Sequence, residues 1–516
     1  MTITLPLEGD ALRTTEQGLF DATKLLPRGT TPAIPVLIVP HHLTAAVTIA
    51  AGLQALIPKH PSSILLLSPD HFHACSSLLC TGNIRFETPF GTTNPDPRTQ
   101  SLLRSSPLVG DNPHLFENEH GITALIPFIQ KLLPETLVTP VVIAQRPDWK
   151  GQEASLLELL KNTTASGTAF VVSSDFSHYL PLQLADAADE KTALALFSDD
   201  TKALENLANP SQSDCPTCLW LAANIASVDD AFNPSVLLHT NSARILKEEK
   251  VQSTTSHFAI AFYRNADLPS EDVTFGGDVT LTRSPSVSAL APPQSARKFW
   301  SGKGARVANL EGPLAEQCAS NTNPFIFCNP LALWISIKSI ATIWNIENNH
   351  KLDQGQEGFR NTIELLKRSG SEALSDKGIT VENIRIFALT NIINPVAAAN
   401  SADLQGQYRR VLEALRAGSG SAPQVVYVHS GTEYEALSSA SQEKYLRSFV
   451  DSGARAVIAV HSHVIGDMEM YRGAPIFRGV GNFIFDQYDQ TATKTAKLVR
   501  LSFTATQTFF QTMIGH

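Results

Sequence analysis

Short apolar runs alternate with amphipathic stretches along both halves of the chain. PVLIVP (35–40) and SSILLLSP (62–69) read as buried strands, with the helical spacing of TAAVTIAAGLQALI (44–57) between them. TLVTPVVI (136–143) and TAFVVSSD (168–175) are further strands, separated by the helix-like LLELLKNT, and HFAIAFY (257–263) closes the first half. RNADLPSED (264–272) is polar, carries a proline and has no period, so it reads as a linker. VTFGGDVTL (273–281) restarts the strand pattern. It is followed by RVANL (306–310), IRIFALT (384–390), QVVYVHS (424–430), RAVIAVHS (455–462) and PIFRGVGNFIF (475–485). RAGSGSAP, just before QVVYV, reads as a surface loop, and no internal repeat is visible. Strands alternating with helices predict an α/β chain with mostly parallel sheets.

Composition narrows the class. A length of 516 residues allows about three domains, or two large ones. With 43% hydrophobic and only 17% charged residues, the chain can build cores and does not read as disordered. Acids outnumber bases 49 to 40, so no basic face is offered to a nucleic acid. The N-terminus lacks a basic region followed by an apolar run, and no apolar stretch reaches membrane-spanning length. The expectation is a cytoplasmic protein without a membrane anchor. Six cysteines are too few for a disulfide scaffold, and Cys215-Pro216-Thr217-Cys218 is a weak metal signal beside the simpler reading of reduced thiols.

The chemistry-bearing residues sit at strand ends, where α/β sheets place ligands. In the first half these are His41 and His42, then Asp70, His71 and His73, then Glu119 and His120, then Asp175 and His178. One such histidine is usually an ordinary polar residue, but four groups in one domain suit a first-row metal. Ser174, Asp175 and His178 contain the residue types of a hydrolase triad, without a GxSxG elbow to support it. The ordered segments VPHH, LLLSPDHFH, NEHGITALIPF, VVSSDFSHY, SDC and SHFAIAFY resemble the Memo family, also called AmmeMemoRadiSam system protein B, over about residues 30–263. That resemblance implies a fold related to LigB-type extradiol dioxygenases and a metal held by His41, His71 and Cys215, with His120, Asp175 and His178 around the same pocket. The chain departs from the family in reading PHHLT for a PHAGY-like segment and DHFH for SHH.

The second half carries Asp278, then Asn309 and Glu311, then Asn348, Asn349, His350 and Asp353, then His429, Glu433 and Tyr434, then His461 and His463, then Gly481 and Asn482. A dinuclear metallophosphoesterase needs this inventory in this order. Carboxylate, amide and imidazole ligands hold two cations about 3.5–4 Å apart, and a histidine beside the ligating Asn can protonate the leaving oxygen. NNH alone is an ordinary turn and HSH an ordinary loop; the five motifs from Asp278 to His463 in order are not. GGDVTLTR, ANLEGPL, NNHKLDQG, HSGTEYE, AVHSHVIGDMEMYRGAPIF and GVGNFIFD resemble the CapA (PgsA) family of calcineurin-like metallophosphoesterase fold, over about residues 272–486. The resemblance implies Asp278, Glu311, Asn349, His429, His461 and His463 as ligands, His350 as acid/base, and a link to poly-γ-glutamate capsule synthesis. HSGTEY stands where the family has HWGxEY, ENNH for ANNH, and VHSH for HHPH.

The expected organisation is an N-terminal extension (1–29), a Memo-like domain (30–263), a linker (264–272) and a CapA-like domain (273–516). Expected cofactors are divalent ions: Mn, Fe or Zn in the second half and Cu, Fe or Zn in the first. The leading function is a bifunctional fusion of a Memo-like metal-binding domain and a CapA-like metal-dependent hydrolase of phosphoester or amide bonds, with His350, His178 and Asp175 as candidate catalytic groups. Redox or dioxygenase-like chemistry in the first half and a non-catalytic scaffold are the alternatives. The partners implied are a small-molecule or peptide substrate and, through the Memo resemblance, AMMECR-type and radical SAM proteins.

Overall fold

The computed structural model describes residues 1–515 apart from 24–35, 147–148, 165–166, 198–200, 228–231, 249–250, 265–270, 283–298, 302–303, 319–322, 324, 395–403, 419–421, 467, 486–490 and 505–507. It divides into two compact units, Met1–Leu268 and Pro269–His516. The expected linker lies at this division. One strand ends at Arg264 and the next begins at Asp272, with 265–270 outside the described residues.

The first unit is built on a nine-stranded sheet. Its four central strands, Val36–Val39, Thr168–Ser173, Ser63–Pro69 and Leu137–Ile143, are parallel, as the alternation of strands and helices predicts. Val36–Val39 and Ser63–Pro69 are buried at every residue, because helices cover both faces of a parallel sheet and leave no polar side. The flanks turn antiparallel: Thr254–Arg264 pairs with Val36–Val39, and Phe232–Asn241 pairs with Thr254–Arg264. The expected N-terminal extension holds ordered elements over residues 1–23. Thr2–Thr4 pairs with the strand Arg85–Thr88, and Gly18 of the helix Gly9–Ala22 packs directly on Ala46.

The second unit holds a seven-stranded and a six-stranded sheet. They meet at Phe275 and Tyr427, whose rings stack at 5.8 Å while the Tyr427 hydroxyl donates to the Gly276 carbonyl at 2.8 Å. Trp334, Ile337 and Leu366 cover the outside of one sheet, and Val411, Leu415, Leu446 and Phe449 cover the other. The result is a helix–sheet–sheet–helix sandwich, consistent with the calcineurin-like expectation.

PIFRGVGNFIF is not one strand. Ala474–Phe477 belongs to the six-stranded sheet and Asn482–Ile484 pairs with Asp272–Val279 in the other. The chain crosses between sheets at Gly479-Val480-Gly481, where Gly481 takes φ +69°. RAGSGSAP falls partly outside the described residues.

All six cysteines are paired, as Cys75–Cys80, Cys215–Cys218 and Cys318–Cys328. This corrects the expectation of reduced thiols: folding brings each pair to a Cα separation of 5.1–5.7 Å, within bridging range.

Candidate metal centres

The register of the first sheet builds the first cluster. Val39 pairs with Ser173, so His41 and Asp175 emerge side by side from neighbouring strands. Asp175 Oδ2 and Asp214 Oδ2 lie 3.4 and 3.3 Å from His41 Nε2, while His41 Nδ1 is fixed by Ser173 Oγ at 3.1 Å. His71 comes from the end of the third central strand. Glu119 holds it twice, accepting from its backbone N–H at 3.1 Å and contacting Nδ1 at 2.6 Å. That leaves Nε2 toward Asp214 Oδ2 at 3.7 Å. His120 joins at a ring distance of 4.0 Å from His71, because Gly121 allows the backbone to close on Ser68 where a Cβ would collide. His41, His71 and His120 each offer a ring nitrogen within 4.8 Å of the others, and His41, Asp175 and Asp214 form a second such group.

Electrostatics follow the geometry. Burial works against a charge on His71, but the carboxylates of Asp214 and Glu119 beside it outweigh that and raise its pKa to about 9. Burial, then the neighbouring His71 and His41, pushes His120 down to about 4. Burial alone would raise the Asp175 carboxyl; His41 and His257 outweigh it and hold it well below the usual carboxylate range.

Two expectations change here. Cys215 is bonded to Cys218 and offers no thiolate; its neighbour Asp214 stands between His41 and His71 instead. His178 does not enter the cluster, because its Nδ1 is engaged by the Phe176 carbonyl at 2.7 Å as it starts a flanking strand. Asp214 and His257 carry little signal in the sequence: they lie in SDC and SHFAIAFY, and neither follows an apolar strand.

The second cluster gathers all six expected ligands. Asp278 Oδ1 accepts from Asn309 Nδ2 at 2.7 Å and Oδ2 from the His461 backbone at 3.1 Å. His463 Nδ1 lies 3.5 Å from Asp278 Oδ2 and 2.9 Å from Asn482 Oδ1. Around His429 Nε2 stand Asn349 Oδ1 at 2.8 Å, His461 Nδ1 at 3.0 Å and Glu311 Oε1 at 3.8 Å. Glu311, His461 and His463 offer ligand atoms within 4.8 Å of one another. Asp278, Glu311 and His429 are fully buried. Burial, then His461 and His463, holds His429 well below its ordinary pKa; burial, then His463 and His350, takes His461 to about 3. Both imidazoles are therefore neutral, with lone pairs to give. His461 and His463 sit at φ +104° and +59°, backbone conformations that cost about 1–3 kcal/mol each and cluster at functional sites.

Both clusters fit a cation. In the first, Asp175 Oδ2 is buried with no hydrogen-bond donor among the described residues, and it points at His41 with Asp214 beside it. In the second, two neutral imidazoles, an amide oxygen and a carboxylate converge with fewer protons than acceptors.

Residues 13–251 match the family model described as Memo-like protein, and residues 272–487 match that of the bacterial capsule synthesis protein PGA_cap. The chain is a fusion of a Memo-like domain and a CapA-like domain. The capsule biosynthesis protein CapA of Bacillus anthracis is 30% identical over 179 residues, covering 31% of this chain and 43% of that protein. The PGA biosynthesis protein CapA of Bacillus subtilis is 26% identical over 181 residues, covering 31% of this chain and 46% of that protein. A MEMO1 family protein of Caldivirga maquilingensis is 24% identical over 237 residues, covering 44% of this chain and 83% of that protein. The chain thus spans less than half the length of the CapA relatives it matches. No helix among the described residues is long and apolar enough to cross a membrane.

Proposed function

We propose that the CapA-like domain is a metal-dependent hydrolase of a phosphoester or amide bond. The observation that carries this reading is the convergence of Glu311, His461 and His463 on one point, with His429 and Asn349 beside them. Asp278, Glu311, Asn349, His429, His461 and His463 would hold divalent ions such as Mn, Fe or Zn, which supply an activated water and neutralise charge on the leaving oxygen. Asn309 orients Asp278 through its 2.7 Å hydrogen bond. His350 presents Nε2 toward Glu311 at 3.9 Å and passes a proton to the leaving group. Phe327, stacked on His350 at 3.8 Å, shields that ring from water. A capsule-type polymer such as poly-γ-glutamate is the substrate class the CapA relatives' names suggest. Metal analysis of the reconstituted protein should find two centres. Less than one equivalent of bound metal would overturn the reading, as would unchanged turnover in His461→Ala.

The His41–His71–His120 group supports a second metal centre of Cu, Fe or Zn in the Memo-like domain, with redox chemistry as its use. Asp175 is the carboxylate beside it; His178, on the edge strand, has no direct part in this reading. AMMECR-type and radical SAM proteins are the partners this half would have in a modification pathway. Oxygen uptake lost in His41→Ala supports the reading; equal uptake opposes it, and absence of metal in both halves favours a binding scaffold.

A further inference from the structure

One chain of contacts in the first unit leads away from the metal cluster and shares only Asp175 with it. Ser242 opens the short helix Ser242–Leu246 directly after the strand Phe232–Asn241. The antiparallel neighbour Thr254–Arg264 places His257 opposite Thr240 and Ser256 opposite Asn241. Ser242 Oγ lies 3.0 Å from His257 Nε2, and His257 Nδ1 lies 2.8 Å from Asp175 Oδ1. Hydroxyl and carboxylate thus occupy opposite nitrogens of one imidazole, in the order a nucleophile–base–acid relay requires.

The surroundings fit that use. His257 and Asp175 are fully buried, whereas Ser242 is only partly buried, so of the three residues solvent reaches only Ser242. The turn that carries it is fixed from both sides: Ala243 N–H donates to Thr254 Oγ1 at 3.0 Å and Arg244 N–H to Asn241 Oδ1 at 2.9 Å. The exposed His42 ring lies over His257 at 5.8 Å, marking the open side. Asp175 engages His257 through Oδ1 and faces His41 through Oδ2, so the relay and the metal cluster use different oxygens. Ser242 and His257 are 15 residues apart and Asp175 is 82 residues from His257, so no local motif announces the set.

We propose that Ser242 and His257, with Asp175 as the positioning residue, hydrolyse small activated carboxylic esters through an acyl-serine. Small acyl groups suit a partly buried hydroxyl. Ser242 Oγ bonds to the ester carbonyl carbon as His257 Nε2 takes the hydroxyl proton. The carbon–oxygen bond to the alcohol then breaks, and the alcohol leaves with that proton. Water attacks the acyl-serine, giving its proton to His257, and the carboxylic acid departs as Ser242 recovers the proton. No metal, oxidant or reductant enters the balance.

The test uses the full chain after chelator treatment, which silences both metal clusters. A fluorophosphonate probe should add to Ser242, located by peptide mass mapping, and the same protein should turn over p-nitrophenyl acetate. Ser242→Ala should lose the adduct, and His257→Gln should label at least ten-fold more slowly, with melting curves unchanged in both. Asp175→Asn should slow labelling and Asp175→Glu should restore part of it, a rescue that a merely structural carboxylate would not give. Absence of an adduct on Ser242 in the folded wild-type chain, or an undiminished labelling rate in His257→Gln, would overturn the proposal.

Discussion

Oδ2 of Asp353 lies 2.7 Å from Nδ1 of His350, three residues earlier in the same turn. The carboxylate accepts from Nδ1–H, so Nε2 is turned toward Glu311. Asn394 supports it by donating to Asp353 Oδ1 at 2.9 Å, and the Phe327 N–H donates to Oδ2 at 2.7 Å. Asp353→Asn replaces an acceptor with an amide that can turn a donor to the ring and favour the wrong tautomer. If His350 is the acid, kcat should fall by about 10–100-fold, the range seen when partners that orient a site residue are removed. Bound metal should stay constant. A loss of metal that tracks the loss of rate would place Asp353 in ion binding instead.

Most of this arrangement was legible because both folds put chemistry at strand ends, where apolar runs stop. VTFGGD, RVANLE, QVVYVH and RAVIAVHSH announce Asp278, Glu311, His429, His461 and His463 in this way. The parallel cores of both units follow from the same alternation. The features that escaped have no such edge. Asp214 precedes a helix, and His257 lies inside a strand. The Cys215–Cys218 bond depends on how that helix start folds. The crossing at Gly479–Gly481 was hidden because each half of PIFRGVGNFIF reads as strand by itself.

The metal-free first unit should show a specific pH response. His71 has a folded pKa of about 9 against an ordinary 6.5, so its contribution is present below about 6.5 and is lost as pH rises toward about 9. His120 goes the other way. Its folded pKa of about 4 means that the unfolded chain takes up a proton first, so stability falls as pH drops from 6.5 toward 4. From these two groups the metal-free protein should be most stable near pH 6.5. Melting curves across that interval check it. His71→Gln should flatten the alkaline side, and an unchanged alkaline slope would remove His71 as its cause.

The disulfide beside the first cluster makes a separable prediction. Cys215 is expected as a ligand from the family resemblance, yet it is bonded to Cys218. Cys218→Ser leaves Cys215 with a free thiol one residue from Asp214, whereas Cys215→Ser leaves none. A thiolate is a far softer ligand than serine for copper or zinc. Cys218→Ser should therefore bind such an ion at least ten-fold more tightly than Cys215→Ser in competition with a chelator. Equal affinities would mean that Asp214, His41 and His71 hold the ion without sulfur.

Gly277 tests how the second cluster is assembled. Its Cα faces the Gly481 carbonyl so closely that a Cβ would collide with that oxygen. The same contact lets the Asp278 N–H donate to Gly481 O at 3.1 Å, which sets the carboxylate beneath His461 and His463. The obstacle is backbone rather than the end of a flexible side chain, so the strand itself must shift. Gly277→Ala should cost about 1–3 kcal/mol, the usual range for an overpacked core. It should also weaken metal binding, because Asp278 moves with the strand. Thermal melting and metal titration of the variant read the two effects. A variant that melts normally and binds metal normally would show that Asp278 does not depend on this contact.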